Sequence, residues 1–299
     1  WTPTNGIAYS IDMGDVTLKM LGSYGRATRA PQPWMRRDSL VFIAAWDPSS
    51  FLWIIANPDL RPEYSRGPQG GVEVYLGSRG ALTVNRYRQK ISDLIQSVYA
   101  DSFSFVQLSN GVQGWQPQVQ YLNTATIASH GWELTGNISF WRMIARGTYS
   151  WADSRVESVH TRQSVASPVQ AGASFQRLPT HTAFGQLGYT YGRTRVTWVL
   201  NWIGKATFTG GDQPVYRLRV HARHQAYFDR GRTETPGAPW VRPSYSKSNL
   251  SVSQHLTSRA TMTLQIKNLG NSFSSDETMY YPSLGRQSEL GLSLRFPRR

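Results

Sequence analysis

The stretch Gly285-Arg286-Gln287-Ser288-Glu289-Leu290-Gly291-Leu292-Ser293-Leu294-Arg295-Phe296 alternates residue by residue. Successive side chains of an extended chain point to opposite faces. Leu290, Leu292, Leu294 and Phe296 therefore share one face, and Glu289, Gly291, Ser293 and Arg295 the other. The preceding segment repeats the pattern, with Met262, Leu264 and Ile266 against Thr261, Thr263, Gln265 and Lys267. A half-buried soluble sheet and a membrane-spanning barrel both need such two-faced strands. What separates them is the length, spacing and loop asymmetry of the strands elsewhere in the chain.

Working outward from this stretch, strand candidates come in pairs. Residues near 6 to 12 and 16 to 27 are joined by the tight turn Met13-Gly14-Asp15, and a stretch rich in Pro, Trp and Arg follows. Gly71 to Leu76 and Ala81 to about Ile95 turn at Ser78-Arg79-Gly80, before a polar loop holding Asn110, Gly111, Gly114 and Pro117. Val119 to Phe140 and Arg142 to Val156 turn at Phe140-Trp141; on the first of these Trp132, Leu134, Ile138 and Phe140 oppose Glu133, Thr135, Asn137 and Ser139. Thr180 to Tyr191 and Arg195 to Phe208 turn at Gly192-Arg193-Thr194, and Tyr245 to Leu256 and Ala260 to Leu269 turn at Thr257-Ser258-Arg259. The result is about eleven strands, many near the roughly 9 to 11 residues that cross a bilayer at a tilt. Short turns are expected at one end of the sheet. Long connections near 28 to 69, 97 to 117, 157 to 178, 209 to 244 and 270 to 285 are expected at the other, an asymmetry typical of bacterial outer-membrane barrels. A soluble sandwich has no reason to keep it.

Composition agrees. Hydrophobic residues make up only 39% of the 299, and no run approaches the roughly 18 to 20 apolar residues of a helical span, so a helical membrane protein is excluded. The 11 Trp and 15 Tyr suit a membrane-water interface, where an apolar ring carries a wet polar tip; Tyr149 and Trp151, Tyr189 and Tyr191, and Trp198 and Trp202 each fall on one strand face. There is no cysteine, hence neither a disulfide framework nor a thiolate metal site. The formal charge of +14 is scattered through turns and strand ends rather than gathered into a block, which argues against nucleic acid as a partner.

Specific wording then points to a family. Gly22-Ser23-Tyr24-Gly25-Arg26-Ala27-Thr28-Arg29-Ala30-Pro31 resembles the motif of TonB-dependent outer-membrane receptors in which a Tyr-Gly strand runs into Arg-Ala-Pro at its outer end. Asn57-Pro58-Asp59-Leu60-Arg61-Pro62-Glu63 is similar to that family's Asn-Pro-Asp-Leu-Lys-Pro-Glu element. Tyr87 with Ile91-Ser92-Asp93-Leu94-Ile95, and Asn123 followed by Gly131-Trp132-Glu133-Leu134, resemble its next two strands. The likeness continues through Leu178-Pro179-Thr180-His181, Ile203-Gly204-Lys205, Lys267-Asn268-Leu269 and Gly285-Arg286, and so covers essentially the whole chain. Family chains usually finish on the aromatic residue itself, whereas Pro297-Arg298-Arg299 follows Phe296 here.

The fold expected is therefore all-β: an antiparallel transmembrane β-barrel, with about eleven strands of a barrel of about 22. Residues 1-299 would be the C-terminal part of a TonB-dependent receptor β-barrel, with the plug domain, TonB box and signal peptide absent from this chain. The resemblance implies a cell outer membrane receptor that binds a scarce solute, such as a siderophore, cobalamin or an oligosaccharide, and imports it with energy passed through the TonB complex. Its other partners would be its own plug domain and outer-membrane lipid. The competing readings are a passive porin or adhesin-like barrel and a soluble polyanion-binding β protein.

No residue is singled out as a ligand contact. Arg29-Ala30-Pro31 and Asn57-Pro58 read first as shapers of strand exits, since proline fixes φ and ends a strand, and Gly131 and Gly204 as relief of crowding in a twisted sheet. His221 and His224 among Arg217, Arg219 and Arg223 read as a solvated basic loop. Three residues apart does not put them on one strand face, and no carboxylate or Cys completes a metal set. Glu133, Arg142, Arg146, Lys267, Glu289 and Arg295 are expected on the lumen side. No phosphate-cradling glycine loop, HExxH or GxSxG is present, so the reading is of a protein that is not an enzyme and carries no cofactor.

Overall fold

The computed structural model describes residues 2–42, 51–107, 113–160, 171–175, 178–208, 240–273 and 284–296. In chain order the strands are β1 (Thr4–Met13), β2 (Val16–Arg29), β3 (Ser39–Phe42), β4 (Phe51–Ile55), β5 (Glu63–Leu76), β6 (Gly80–Gln107), β7 (Gln113–Phe140) and β8 (Met143–Val159). There follow β9 (His181–Tyr191), β10 (Thr194–Ile203), β11 (Ala206–Phe208), β12 (Trp240–Arg242), β13 (Tyr245–His255), β14 (Ala260–Lys267) and β15 (Gln287–Leu294), and one 3-10 turn covers Pro33–Arg36. Eleven of these form a single antiparallel meander in the order β1-β2-β5-β6-β7-β8-β9-β10-β13-β14-β15. The hairpin β3-β4 joins it through a short parallel contact between β4 and β7, and β11 pairs β12 apart from it.

The connections alternate strictly. Tight turns link β1 to β2, β5 to β6, β7 to β8, β9 to β10 and β13 to β14, so all five lie at one end. Gly14, Gly77 and Gly192 take the left-handed conformation there, and so does Trp141, against the ordinary preference of an L-residue. The other connections lie at the opposite end.

Cross-strand register turns the alternation of each strand into continuous rows. Tyr9, Met20, Val72, Val84, Leu134, Tyr149, Ala183 and Trp202 stand side by side on one face. On that same face Phe140, Met143, Tyr189, Val196, Val252, Leu264 and Leu290 continue the belt to the last strand. Ser10, Lys19, Glu73, Thr83, Thr135 and Thr148 run across the opposite face. The apolar face is left bare: Ile7 is 77% exposed, Leu290 72% and Leu292 63%. A soluble sheet would have to cover this surface with a second layer. Buried apolar residues gather instead at the long-connection end, where Leu60, Ile95, Ala125, Ile127 and Val156 are enclosed and Phe175 packs on the Ala125–Val156 pair.

Three expectations are corrected. The polar loop expected near 97 to 117 is largely strand, because β6 and β7 each run 28 residues and pair as a ribbon well past the belt. The Asn, Gly and Pro residues of this stretch read locally as a turn, and only the long-range pairing of β6 with β7 shows how much of it is strand. The long stretch near 28 to 69 contains β3, β4 and the start of β5, which begins at Glu63 rather than Gly71. The strand expected from Arg195 to Phe208 breaks at Gly204-Lys205: the Gly204 N–H turns to the His181 carbonyl, 2.8 Å away, and β11 leaves the main sheet.

Candidate functional site

The polar face carries charged and hydrogen-bonding side chains across the sheet. A hollow of about 750 Å³ lies along β1, β2, β5, β6 and β7, and Ala8, Ser23, Gln69, Glu73, Tyr87 and Glu133 of the polar face are among the residues that line it. The charges of this face are partly neutralised in place. Lys19 sits 3.3 Å from the Glu73 carboxylate, which also accepts a 2.8 Å bond from the Tyr75 hydroxyl, and Lys267 meets Glu289 at 2.5 Å. Register places Glu133, Arg146, Lys267, Glu289 and Arg295 on this wall, as expected. Arg142 departs from expectation: at the short-turn rim its guanidinium stacks over Trp141 and Tyr191, at 4.7 and 4.8 Å from the ring centroids. The ring faces at this rim hold the cation there.

Gly131 shows why the polar face needs a missing side chain. A Cβ at this position would lie 2.3 Å from the Trp151 carbonyl oxygen and 2.7 Å from the Tyr87 hydroxyl. Only a glycine leaves room where strands approach this closely.

At the outer end the sequence motifs converge into one clamp. Arg29, at the end of β2, forks onto Glu63 at the start of β5 with contacts of 2.6 and 2.8 Å. Glu63 is 7% exposed and also accepts the backbone N–H of Ile95 at 2.7 Å. Arg61 meets Asp93 at 2.7 Å, and Asp93 has φ of +57°, at the bulge that shifts register between β6 and β7. Asn123 fastens both: its amide donates to the Arg61 carbonyl (2.9 Å) and the Asp93 carbonyl (2.8 Å), and its oxygen accepts the Arg61 N–H (2.9 Å). Asn57 donates to the Tyr121 carbonyl at 2.7 Å, Trp34 packs edge-on against the Tyr121 ring at 5.1 Å, and Leu60 is 1% exposed beneath them. Burial raises the Tyr121 phenol pKa above the ordinary tyrosine value.

The Arg-Ala-Pro and Asn-Pro-Asp-Leu stretches therefore act as architecture: they tie the outer ends of β2, β5, β6 and β7 together. That Arg29 meets Glu63, and Asn123 meets Arg61, was hidden from spacing along the chain. His221 and His224 lie outside the described residues. Among the described residues no three His, Asp or Glu side chains gather where they could hold a metal ion. Among the described residues no helix is long and apolar enough to cross a membrane.

Comparison with known proteins agrees with this geometry. The chain superposes on the siderophore receptor PirA from Acinetobacter baumannii with a TM-score of 0.64 at 16% identity, covering 99% of this chain and 41% of that one. It superposes on the ferripyoverdine receptor of the outer membrane of Pseudomonas aeruginosa with a TM-score of 0.62 at 14% identity, over 98% of this chain and 32% of that one. The copper transporter OprC gives 0.59 at 15% identity, with 98% and 39% covered. The chain thus spans about two-fifths or less of the length of these receptors. No curated protein matches it by sequence. The family described as TonB dependent receptor-like, beta-barrel, matches residues 1–269. With its belt, its alternating connections and its clamped outer rim, this chain belongs to the TonB-dependent receptor family of outer-membrane β-barrels.

Proposed function

We propose that the chain forms the C-terminal wall of an outer-membrane receptor that binds a scarce solute at the cell surface and imports it with energy passed through TonB. The observation that carries this reading is the pairing of an uncovered apolar belt with a wide polar wall whose two outermost strands, β1 and β15, each pair on one side only among the described residues. Eleven strands in an open arc suit half of a barrel of about 22, whose lumen is wide enough to need a plug. The plug domain and the TonB complex are then the partners. The lumen wall holds the plug by polar contacts that can break and reform, while the outer clamp keeps the long β6-β7 ribbon at a fixed angle above the membrane.

Two of the three receptors named above are called receptors of siderophores or their ferric complexes, so a ferric siderophore is the first ligand to try. The decisive measurement is uptake of a radiolabelled ferric siderophore by cells carrying the whole receptor, with and without TonB. Saturable uptake that stops without TonB is the expected result. Uptake that persists without TonB would make the protein a passive porin.

A further inference from the structure

Five neighbouring strands of the meander, β9, β10, β13, β14 and β15, carry one acid among them, Glu289, and Lys267 already holds it at 2.5 Å. Basic side chains nevertheless gather at their short-turn end. Register sets His255 opposite Thr261 and Thr261 opposite Ser293, in one row on the polar face. The row reaches Arg193, whose carbonyl accepts the His255 N–H at 2.9 Å. Two residues nearer the end, Arg259 stands beside Arg295, whose N–H donates to the Arg259 carbonyl at 2.8 Å. Like charges side by side destabilise a sheet, and Glu289 lies four residues from Ser293, about 13 Å along β15.

Arg193, His255, Arg259 and Arg295 line a hollow of about 440 Å³. The rest of its lining, Thr257, Ser258, Thr261 and Ser293, carries hydroxyls, and among the described residues no carboxylate enters it. Part of this frame is fixed in place. The Thr257 hydroxyl accepts the N–H groups of Arg259 (3.1 Å) and Ala260 (3.0 Å), closing the β13-β14 turn, and His255 Nδ1 meets the Thr261 hydroxyl at 2.8 Å. Arg193 Nη1 reaches across to the Leu256 carbonyl at 3.4 Å. All three arginines are exposed, and none has an ion pair among the described residues.

We propose that this hollow is a binding site for a small polyanion, a molecule carrying several phosphate or carboxylate groups. Guanidinium forks match either group edge-on through charge-assisted bonds, and serine and threonine hydroxyls supply neutral donors beside them. Arg193 and Ser293 stand three strand spacings apart, about 14 Å, so one small oxyanion cannot span the row, whereas a molecule with two or three charged groups can. Short turns of bacterial outer-membrane barrels face the periplasm, so the site is open to that compartment. The inference rests on these residues and on the family placement of the chain, not on import of any solute. Loss of TonB-dependent uptake leaves it standing.

The test uses the whole receptor in detergent and titration calorimetry with inorganic triphosphate, with citrate and with acetate. The unaltered receptor binds triphosphate, citrate or both about tenfold more tightly than acetate, or better. The double variant Arg259→Gln, Arg295→Gln weakens that binding about tenfold or more, while Arg88→Gln, on the opposite face of β6, leaves it unchanged. Heat-modifiable migration confirms that each variant is folded. Phenylglyoxal, which modifies accessible arginines, gives a reading that needs no variant: the bound polyanion protects Arg193, Arg259 and Arg295, and Arg88 reacts equally with and without it. Binding of triphosphate alone narrows the ligand to polyphosphates and of citrate alone to polycarboxylates, and either upholds the site. Acetate held as tightly as both polyanions, an unchanged double variant, or protection confined to other arginines would overturn the proposal.

Discussion

Single residues decide how the wall is tied at its outer rim. Asn123 makes three bonds of 2.8 to 2.9 Å to two separate segments, and no other side chain type places two donors and an acceptor on one short planar group there. Asn123→Ala is expected to cost about 1–3 kcal/mol, because the Arg61 and Asp93 backbone groups lose their partner. The check is the unfolding midpoint of the whole receptor in detergent against urea. Glu63→Ala acts on the same clamp: it strands the Ile95 N–H at a residue 7% exposed and frees Arg29. Its cost should fall in the same range, and the double variant Glu63→Ala, Asn123→Ala tells whether the two halves of the clamp act together. Gly131→Ala is expected to destabilise by about 1–3 kcal/mol, since its Cβ would meet backbone at 2.3 Å and the β7-β8 pair must spread. The crowding role of Gly131 was legible in the sequence. The identity of the atoms it spares, Trp151 O and Tyr87 OH, required the register of three strands.

At the scale of strands, the alternation of Leu290, Leu292 and Leu294 against Glu289, Gly291 and Ser293 assigns faces correctly but says nothing of height. Register puts Leu292 beside Met262, close to the β13-β14 turn, and Leu264 beside Leu290 further along. At about 3.4 Å per residue and the usual tilt, Leu264 lies near the middle of a 25 Å band and Leu292 nearer its inner edge. Leu264→Arg is therefore expected to cost about 2–4 kcal/mol of folding into bilayers, Leu292→Arg less, and Ser293→Arg on the polar face little. Urea titration of the receptor refolded into vesicles measures all three, and a costlier Ser293→Arg would reverse the faces. The alternating connections give a second test. Ser78→Cys, in the β5-β6 turn, should resist a membrane-impermeant thiol reagent in intact cells, whereas Ala171→Cys, between β8 and β9, should react. Reaction at position 78 alone would invert the topology. Turn positions such as Gly14 and Gly192 announced themselves, because residues there have positive φ. The extension of β6 and β7 to 28 residues each did not, because a stretch holding Asn110, Gly111, Gly114 and Pro117 reads locally as a loop until the pairing of the two strands is known.

For the molecule as a whole, the open arc has consequences for the chain in isolation. Among the described residues β1 pairs only with β2 and β15 only with β14, so each presents one row of backbone donors and acceptors that lipid cannot satisfy. Residues 1–299 expressed alone should therefore fail to give the compact, heat-modifiable species that a closed barrel gives on a gel, and should aggregate on refolding. Under the half-barrel proposal, co-expression with the remaining strands should restore that species. A stable monomer from residues 1–299 alone would show that the arc can close on itself.

The sequence by itself determined that this is a two-faced, eleven-strand meander with short turns at one end. That information is local: a period of two is written into neighbouring residues, and a tight turn needs only a few. Motif wording added the family. Tertiary structure alone decided which charges meet. Arg29 and Glu63 are 34 positions apart, and Asn123 and Arg61 62 apart, so their contacts depend on how strands are staggered across the sheet. The basic hollow of Arg193, His255, Arg259 and Arg295 is of the same kind. Each residue sits unremarkably at its own strand end or turn, and only the register of β10, β13, β14 and β15 brings them together on the polar face.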